Sequence, residues 1–454
     1  MDSESHLTEQ EIALIRDAVA QRRTPKTLAE GKWSVSPLNQ DPKVIARCGE
    51  AQLPQRAIIR DITLRTAEQA VGVWLSEAQR RHLAEAIAGI GVKDIQVSWI
   101  ASDTSNSLKA EVDLLHKIDP KIETSLLGTS PKNVKAAADA GIDLFQTYGC
   151  SIPEFHLIYG SYGRQILRAH RRGEDWRKTV KYPRNEAEHF ALMQEDVAYA
   201  KKLGMKAAMV TSMLHYATPD YLERFAKAAA DAGADEIGLS DGASGVGPEA
   251  LRYMVSVVKK TAPKAMISAH VHNSFGLGTA TAVAAIQAGA GIVEVAVNHL
   301  CSSTGQADLA EVVAALEVLY GVHTGIDLAK LTPLKLMVED ITGIKMSDMK
   351  AITGKYAGTY TEEAMWEEEQ YAPVHKGVQT SIFGNPARYV LGRFSGVSGA
   401  WNIRAKLAEL GHSVTDKQME EILGQLKTTM EMRHRTLSDE ELVELSIDLL
   451  KKGG

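Results

Sequence analysis

Cysteine is scarce in this chain of 454 residues: Cys48, Cys150 and Cys301 are the only three. An odd number at such wide spacing excludes a disulfide framework and a cysteine-built zinc site, and it points to a reducing compartment, the cytoplasm. Long apolar runs are missing as well. No stretch approaches the roughly 20 residues that a membrane span needs, so no membrane partner is expected. Met1-Asp-Ser-Glu-Ser-His6 lacks the basic-then-apolar order of a signal peptide. A basic surplus is missing too: 51 Lys and Arg stand against 57 Asp and Glu, a net charge of −6. That sum excludes the electrostatic footprint of a nucleic-acid partner. No long internal repeat or low-complexity tract appears.

What is present is an ordinary globular balance, with 44% hydrophobic and 24% charged residues. The length suits one barrel of about 250 residues with additions at both ends. Residues 7–22 read as an amphipathic helix opened by a capping box of Thr8 and Glu11. Residues 23–55 carry little period and read as an extended arm. From Ala57 onward, short β-branched runs alternate with helical stretches. Candidate strands are 57–65, 94–99, 121–127, 142–148, 205–211, 235–240, 265–270 and 292–297. Candidate helices lie near 77–90, 105–117, 131–140, 186–203, 219–232, 249–261, 276–289 and 308–320. Several helices end in Ala-Gly before the next strand, the left-handed cap that a short return requires. Eight such units predict an α/β fold, a closed (β/α)8 TIM barrel over 56–322, preceded by the arm of residues 1–55 and followed by a helical subdomain over 323–454. The alternative, an open doubly wound sheet, usually has fewer units, and no Gly-x-Gly-x-x-Gly follows the first strand. In the tail, 332–352 looks helical, 353–380 irregular, and 403–451 contains three helical segments. One basic insertion, Arg164 to Arg184, interrupts the connection after the fourth strand, on the active-site side of a barrel. It reads as a surface lid or a dimer contact with the acidic stretch 361–369, or as a cradle for an anionic ligand.

The stretch that organises the chain is Ser268-Ala-His-Val-His-Asn-Ser-Phe-Gly-Leu-Gly278. In an extended strand, residues i and i+2 point to the same face. His270 and His272 therefore converge on one point, as metal coordination or a paired acid and base would require. Two hydrogen-bonded polar residues with no further role would give the same spacing.

Several motifs then resemble the metal-dependent pyruvate-carboxyltransferase-like superfamily, the DRE-TIM metallolyases. This superfamily contains isopropylmalate synthase, homocitrate synthase and hydroxymethylglutaryl-CoA lyase. Asp61-Ile-Thr-Leu-Arg-Thr-Ala-Glu-Gln69 resembles the family's Asp-Thr-Thr-Leu-Arg-Asp-Gly-Glu-Gln signature, and His270-Val-His-Asn273 matches His-x-His-Asn in full. Ala290 to Val297 and Thr304 to Val313 resemble the next strand and its glycine-rich turn. His375-Lys-Gly-Val-Gln379 and Leu391-Gly-Arg-Phe-Ser-Gly396 resemble the tail of the synthases, the isopropylmalate and homocitrate branch being the nearest. The likeness covers about residues 57–450.

The departures bear on the chemistry. The family's acidic metal ligand after the catalytic arginine Arg65 falls on Thr66. Its acid at the end of the second strand falls on Gln96, its metal-site Asn on Gln306, and the Glu-Arg pair before the turn on Ser302 and Ser303. The tail's acid/base histidine falls near Gln379, with His375 one turn away. Cys301 lies where the lyases carry a catalytic cysteine. Asp241 resembles the family's Asp-Thr-x-Gly turn and reads as a cap of the next helix.

The resemblance implies an acyltransferase or carbon–carbon lyase acting beside a carbonyl. Its first form is a Claisen-type acyl transfer from an acyl-CoA to a 2-oxo acid. The catalytic set would be Arg65, Thr66, Gln96, Cys301, His375 and Gln379, and a divalent Zn²⁺, Mn²⁺ or Mg²⁺ would sit on His270, His272 and Gln306. The loss of two acids weakens that metal site, because hard cations prefer carboxylate oxygens. Asp61 and Glu68 remain as further candidate ligands. An aldolase or lyase without metal, and a metabolite-binding barrel without chemistry, stand as alternatives. A homodimer through the tail is implied by the same resemblance.

Overall fold

The computed structural model describes residues 53–97, 105–151, 160–175, 178, 183, 185–361, 377–391 and 399–452. Before residue 53 it describes 9–10, 13, 28–29, 32–34, 36–42 and 46. The expected capping box at Thr8 and Glu11, together with Cys48, His375 and most of the acidic stretch 361–369, lies outside the described residues. Two compact units result: Leu38–Lys345, and Met1–Pro37 with Met346–Gly454.

The first unit is the expected barrel. Strands β1 (Ile58–Asp61), β2 (Asp94–Gln96), β3 (Glu123–Gly128), β4 (Leu144–Cys150), β5 (Lys206–Ser212), β6 (Glu236–Asp241), β7 (Met266–Val271) and β8 (Ile292–Val295) pair in parallel. β8 lies between β7 and β1 and closes the ring. Helices return the chain on the outside: α1 (Glu77–Gly89), α2 (Ser105–Ile118), α3 (Pro131–Ala140), α4 (Gly160–Arg171) and α5 (Glu186–Lys202), then α6 (Pro219–Asp231), α7 (Pro248–Thr261), α8 (Gly278–Gln287) and α9 (Leu309–Ala314). Local chemistry sets their ends. Ser76 and Gln79 form a reciprocal capping box at the start of α1. α3 begins with Ser130 as cap and Pro131 in its first turn, and it stops at Gly141 with φ +83°.

The first strand is shorter than the predicted 57–65. After Asp61 the chain enters one helical turn, Thr63–Thr66, because the Asp61 carboxylate accepts hydrogen bonds from the Thr63 backbone N–H (2.9 Å) and hydroxyl (3.0 Å). Arg65 therefore sits on a helical turn rather than at a strand end. The segment read as 332–352 also shortens, to α10 (Leu331–Thr342), which ends at Gly343 with φ +73°. The basic insertion begins with α4, whose last turn carries Arg168, His170 and Arg171.

Apolar side chains such as Ile59, Ile95, Phe145, Ile237 and Val293 are buried throughout the barrel. The exception is a charged cluster inside it. Arg60 is 0% exposed; its Nε lies 2.7 Å from Asp94, and its two terminal nitrogens grip Glu236 at 2.7 and 2.8 Å. Glu294 stands 3.4 Å from the same guanidinium. Gln146 donates toward Glu294 at 3.3 Å and accepts from Gln96. Desolvating one cation with three carboxylates is tolerable only because nearly every oxygen finds a donor.

In the second unit, α11 (Ala400–Glu409), α12 (Asp416–Arg433) and α13 (Asp439–Lys452) match the three expected helical segments. They bury Ile403, Leu407, Ile422, Leu426 and Leu442 against one another.

Removing the cation while leaving the acids should be costly. Arg60→Met is expected to lower stability by about 3–5 kcal/mol, the range for uncompensated buried charge. Urea unfolding followed by tryptophan fluorescence measures it, and a loss under about 1 kcal/mol would mean that the cluster is not held by Arg60.

Candidate active site at the carboxyl end of the barrel

The site is built on the ends of β1, β7 and β8. His270 lies in β7 and His272 one residue beyond it, and their ring centroids stand 5.0 Å apart, tilted by 58°. The shared face predicted from the two-residue spacing is what the structure shows. Immediately after β7 the chain meets the loop that follows β8. The N–H of Asn273 donates to the Gly305 carbonyl (2.9 Å) and that of Ala307 to the Val271 carbonyl (3.1 Å). This brackets His272 and Gln306 as an antiparallel pair between two parallel strand ends. Bonds at the flanking residues define the close, non-hydrogen-bonded kind of pair, with both side chains on one face. Gln306 thus joins the face of the two histidines.

The loop that delivers Gln306 is tightly wound. Asn298, His299, Ser303 and Gly305 all have positive φ, between 55° and 81°. A Cβ on Gly305 would meet the His299 carbonyl oxygen at 1.9 Å, so only glycine fits there. His299 Nδ1 donates to the Gln306 carbonyl at 2.7 Å, and Asn298 Nδ2 to the Lys335 carbonyl at 3.0 Å. Cys301 is buried on the same loop, its Sγ 3.8 Å from His272 Nε2 and 3.4 Å from Gln69 Oε1. Burial pushes its thiol up, against the pull of Arg65.

His270 Nδ1 lies 2.9 Å from Glu294 Oε2. Burial works to raise the Glu294 carboxyl, but the bond to His270 and the charges of His270, Arg60 and Arg65 hold it at about 2. An ionised carboxylate only accepts, so Nδ1 carries the hydrogen that faces Glu294, and Nε2 is the nitrogen turned away from it. His272 is different. Burial, then His270 and Arg65, lower it from 6.5 to about 3, so it is neutral across the physiological range.

The remaining expected residues divide into those the site gathers and those it does not. Arg65 acts electrostatically on His272, Glu294 and Cys301. Thr66 is buried, and its hydroxyl donates to the Leu300 carbonyl at 2.7 Å, which ties the β1 turn to the β8 loop. Gln96 spends its amide nitrogen on Gln146. Asp241 accepts from the Gly245 and Val246 N–H groups at 3.1 and 2.8 Å, so it closes its own turn, while α7 is capped at Gly247. Gln379 belongs to the other unit, where its N–H donates to the Lys32 carbonyl at 2.8 Å.

These engagements test the divalent metal that the resemblance implies. Asp61 is committed to Thr63, Glu68 to Arg80 (2.8 Å) and the Leu75 N–H (3.1 Å), and Glu294 to His270 and Arg60. Thr66 and Gln96 are neutral and bonded elsewhere. Among the described residues, no group of three His, Cys, Asp or Glu side chains could hold a metal ion. Two imidazoles and an amide do not fit a hard divalent cation.

Glu294, Arg60, Asp94 and Glu236 were not singled out from the sequence. The available signal was a charge set inside an apolar strand run, as in Ile-Ile-Arg-Asp and Ile-Val-Glu-Val, where an unpaired charge has no place.

The depressed His272 implies a pH dependence. Between pH 6.5 and about 3 the unfolded chain holds a proton on this ring that the folded chain does not. Stability therefore rises with pH across that window and is lost as pH falls through it. Asp61 and Asp94, lifted by burial from 3.8 to about 7, act in the opposite sense, so a difference measurement is needed. His272→Phe should lose less stability than the parent between pH 6.5 and 4.5. Equal losses, measured as urea midpoints, would assign the acid sensitivity to other groups.

Residues 174–338 match the HMGL-like family. The chain is 28% identical over 386 residues to the 2-isopropylmalate synthase of Sulfolobus acidocaldarius, spanning 84% of this chain and 92% of that protein. It is 27% identical over 425 residues to the homocitrate synthase of Methanopyrus kandleri, spanning 91% and 98%. In three dimensions it is similar to the HMG-CoA lyase of Bacillus subtilis, with a TM-score of 0.53 at 17% identity over 65% of this chain and 96% of that one. The lyase likeness shows the fold, and the other two extend through most of the chain, so that the barrel, with its His-x-His-Asn strand end and Arg65 turn, is similar to the HMGL-like enzymes and matches their family directly over residues 174–338.

Proposed function

We propose that this protein is an enzyme that makes a carbon–carbon bond beside a carbonyl, condensing the α-carbon of an acyl-CoA thioester with the keto carbon of a small 2-oxo acid. The observation that carries the reading is the His270–Glu294 pair. A buried carboxylate fixes the ring through Nδ1 and presents Nε2 as a base, within the field of Arg65. The similarity to condensing synthases over most of the chain supports the direction.

His270 Nε2 takes a proton from the thioester α-carbon. The Arg65 guanidinium balances the charge that develops on the enolate oxygen. The carbon then attacks the keto carbon of the 2-oxo acid, whose oxygen becomes an alkoxide and recovers the proton from the imidazolium. Water finally cleaves the thioester, releasing CoA and a hydroxy diacid. His272, neutral at working pH, adds no cation to repel Arg65 or the imidazolium. No step is routed through a metal.

The test is a panel of acyl-CoA thioesters crossed with 2-oxo acids, read as thiol release, on chelator-treated enzyme. Turnover that survives chelation is expected. Silence across the panel, with and without Mg²⁺, Mn²⁺ or Zn²⁺, would sink the condensation reading. Glu294→Gln, whose amide N–H drives the ring into the opposite tautomer, should lower kcat by about 10²–10⁴-fold.

A further inference from the structure

One side chain in the site has an unusual hydrogen-bond account. Gln306 is 0% exposed, and neither its Nε2 nor its Oε1 has a partner. A buried amide without partners costs about 1–3 kcal/mol per group, and native chains seldom keep one without a ligand or water to satisfy it. The close antiparallel pair with His272 puts this amide on the face shared by His272 and His270. The tight loop and the glycine-only position beside it fix the backbone from which it projects. Gln96, 1% exposed, adds a second orphaned oxygen, Oε1, inside the same barrel.

The geometry points to Gln306 as the residue that binds the oxygen on the reacting carbon of the substrate, an inference that rests on the condensation reading above. A primary amide offers a donor and an acceptor side by side. The keto oxygen of a 2-oxo acid accepts from Nε2. After bond formation the same oxygen carries a hydrogen, and a hydroxyl both accepts from Nε2 and donates to Oε1. A carboxylate at this position would repel an anionic substrate and the developing alkoxide; the neutral amide holds either state. The ligand class is therefore a small 2-oxo acid and its 2-hydroxy counterpart, recognised at the oxygen that distinguishes them. With the Thr66 hydroxyl turned to the Leu300 carbonyl, the substrate oxygen meets an amide donor.

The test uses Gln306→Met, an apolar side chain of nearly the same length. Two quantities are read on the full-length protein: the melting temperature without ligand, and the Kd for pyruvate, 2-oxoisovalerate and 2-oxoglutarate with their 2-hydroxy analogues. If the amide is held only by ligand, the variant melts at or above the parent temperature, while the Kd of whichever probe the parent binds rises by about 10–100-fold. A melting temperature several degrees lower would show a structural partner for the amide and overturn the inference. So would unchanged probe affinity in the variant, which leaves the condensation reading intact. Binding that depends on Gln306 in a protein that turns over no thioester would support this inference and sink the condensation reading. A parent protein that binds no probe overturns the inference, while the condensation reading stands or falls on thioester turnover.

Discussion

The Arg60 guanidinium is the constraint on which the site depends. It lies inside the barrel between Asp94, Glu236 and Glu294, and through Glu294 it reaches His270. A carboxylate alone in that place would be protonated rather than ionised, because desolvation disfavours its charge. With the cation on one side and the imidazole on the other, Glu294 stays anionic and dictates which ring nitrogen carries hydrogen. The orientation of the His270 ring is thus set by a charge pair one layer deeper in the barrel. Arg60, Glu294 and His270 are cross-strand neighbours on β1, β8 and β7.

The upper layer has gone the other way, toward neutrality. Thr66, Gln96 and Gln306 stand where the resemblance would place two acids and an asparagine. Thr66 and Gln96 have been drawn into bonds with a backbone carbonyl and another glutamine. Neutral groups stand at Thr66 and Gln96, and negative charge is retained behind the histidine at Glu294. Such an arrangement suits an anionic substrate met by Arg65 and uncharged hydrogen-bonding groups. It does not suit a dication that needs carboxylates around it.

The barrel was legible in the sequence because its signals are local. Alternating apolar runs, serine and threonine caps and Ala-Gly returns each act over a few residues, and eight repetitions leave one closed topology. The histidine face followed from the period of a strand. Less legible was whatever depends on contacts far apart in the chain. Arg60 and Glu236 are 176 positions apart, and nothing in either segment announces the other. The turn after Asp61 was misread as strand because its cause, a carboxylate bonding the backbone two residues on, competes with a β-rich composition. The commitment of Thr66 to Leu300 depends on the β8 loop returning to β1, which no spacing reveals.

The antiparallel pair of His272 and Gln306 has a consequence for size as well as for chemistry. Among the described residues every other pairing in the barrel is parallel, and its strands are separated by crossover helices that tolerate insertions and drift. Here two backbone hydrogen bonds clamp the end of one strand directly to the loop after the next. The gap between the imidazole and the amide is therefore a fixed calliper. Lengthening either loop would leave it unchanged, whereas slipping the pair by one residue would turn both side chains away together. On the proposed condensation reading, substrates longer by a carbon or two would have to be accommodated elsewhere around the mouth, which leaves the loops of the remaining strands as the places where the size of the acid is set.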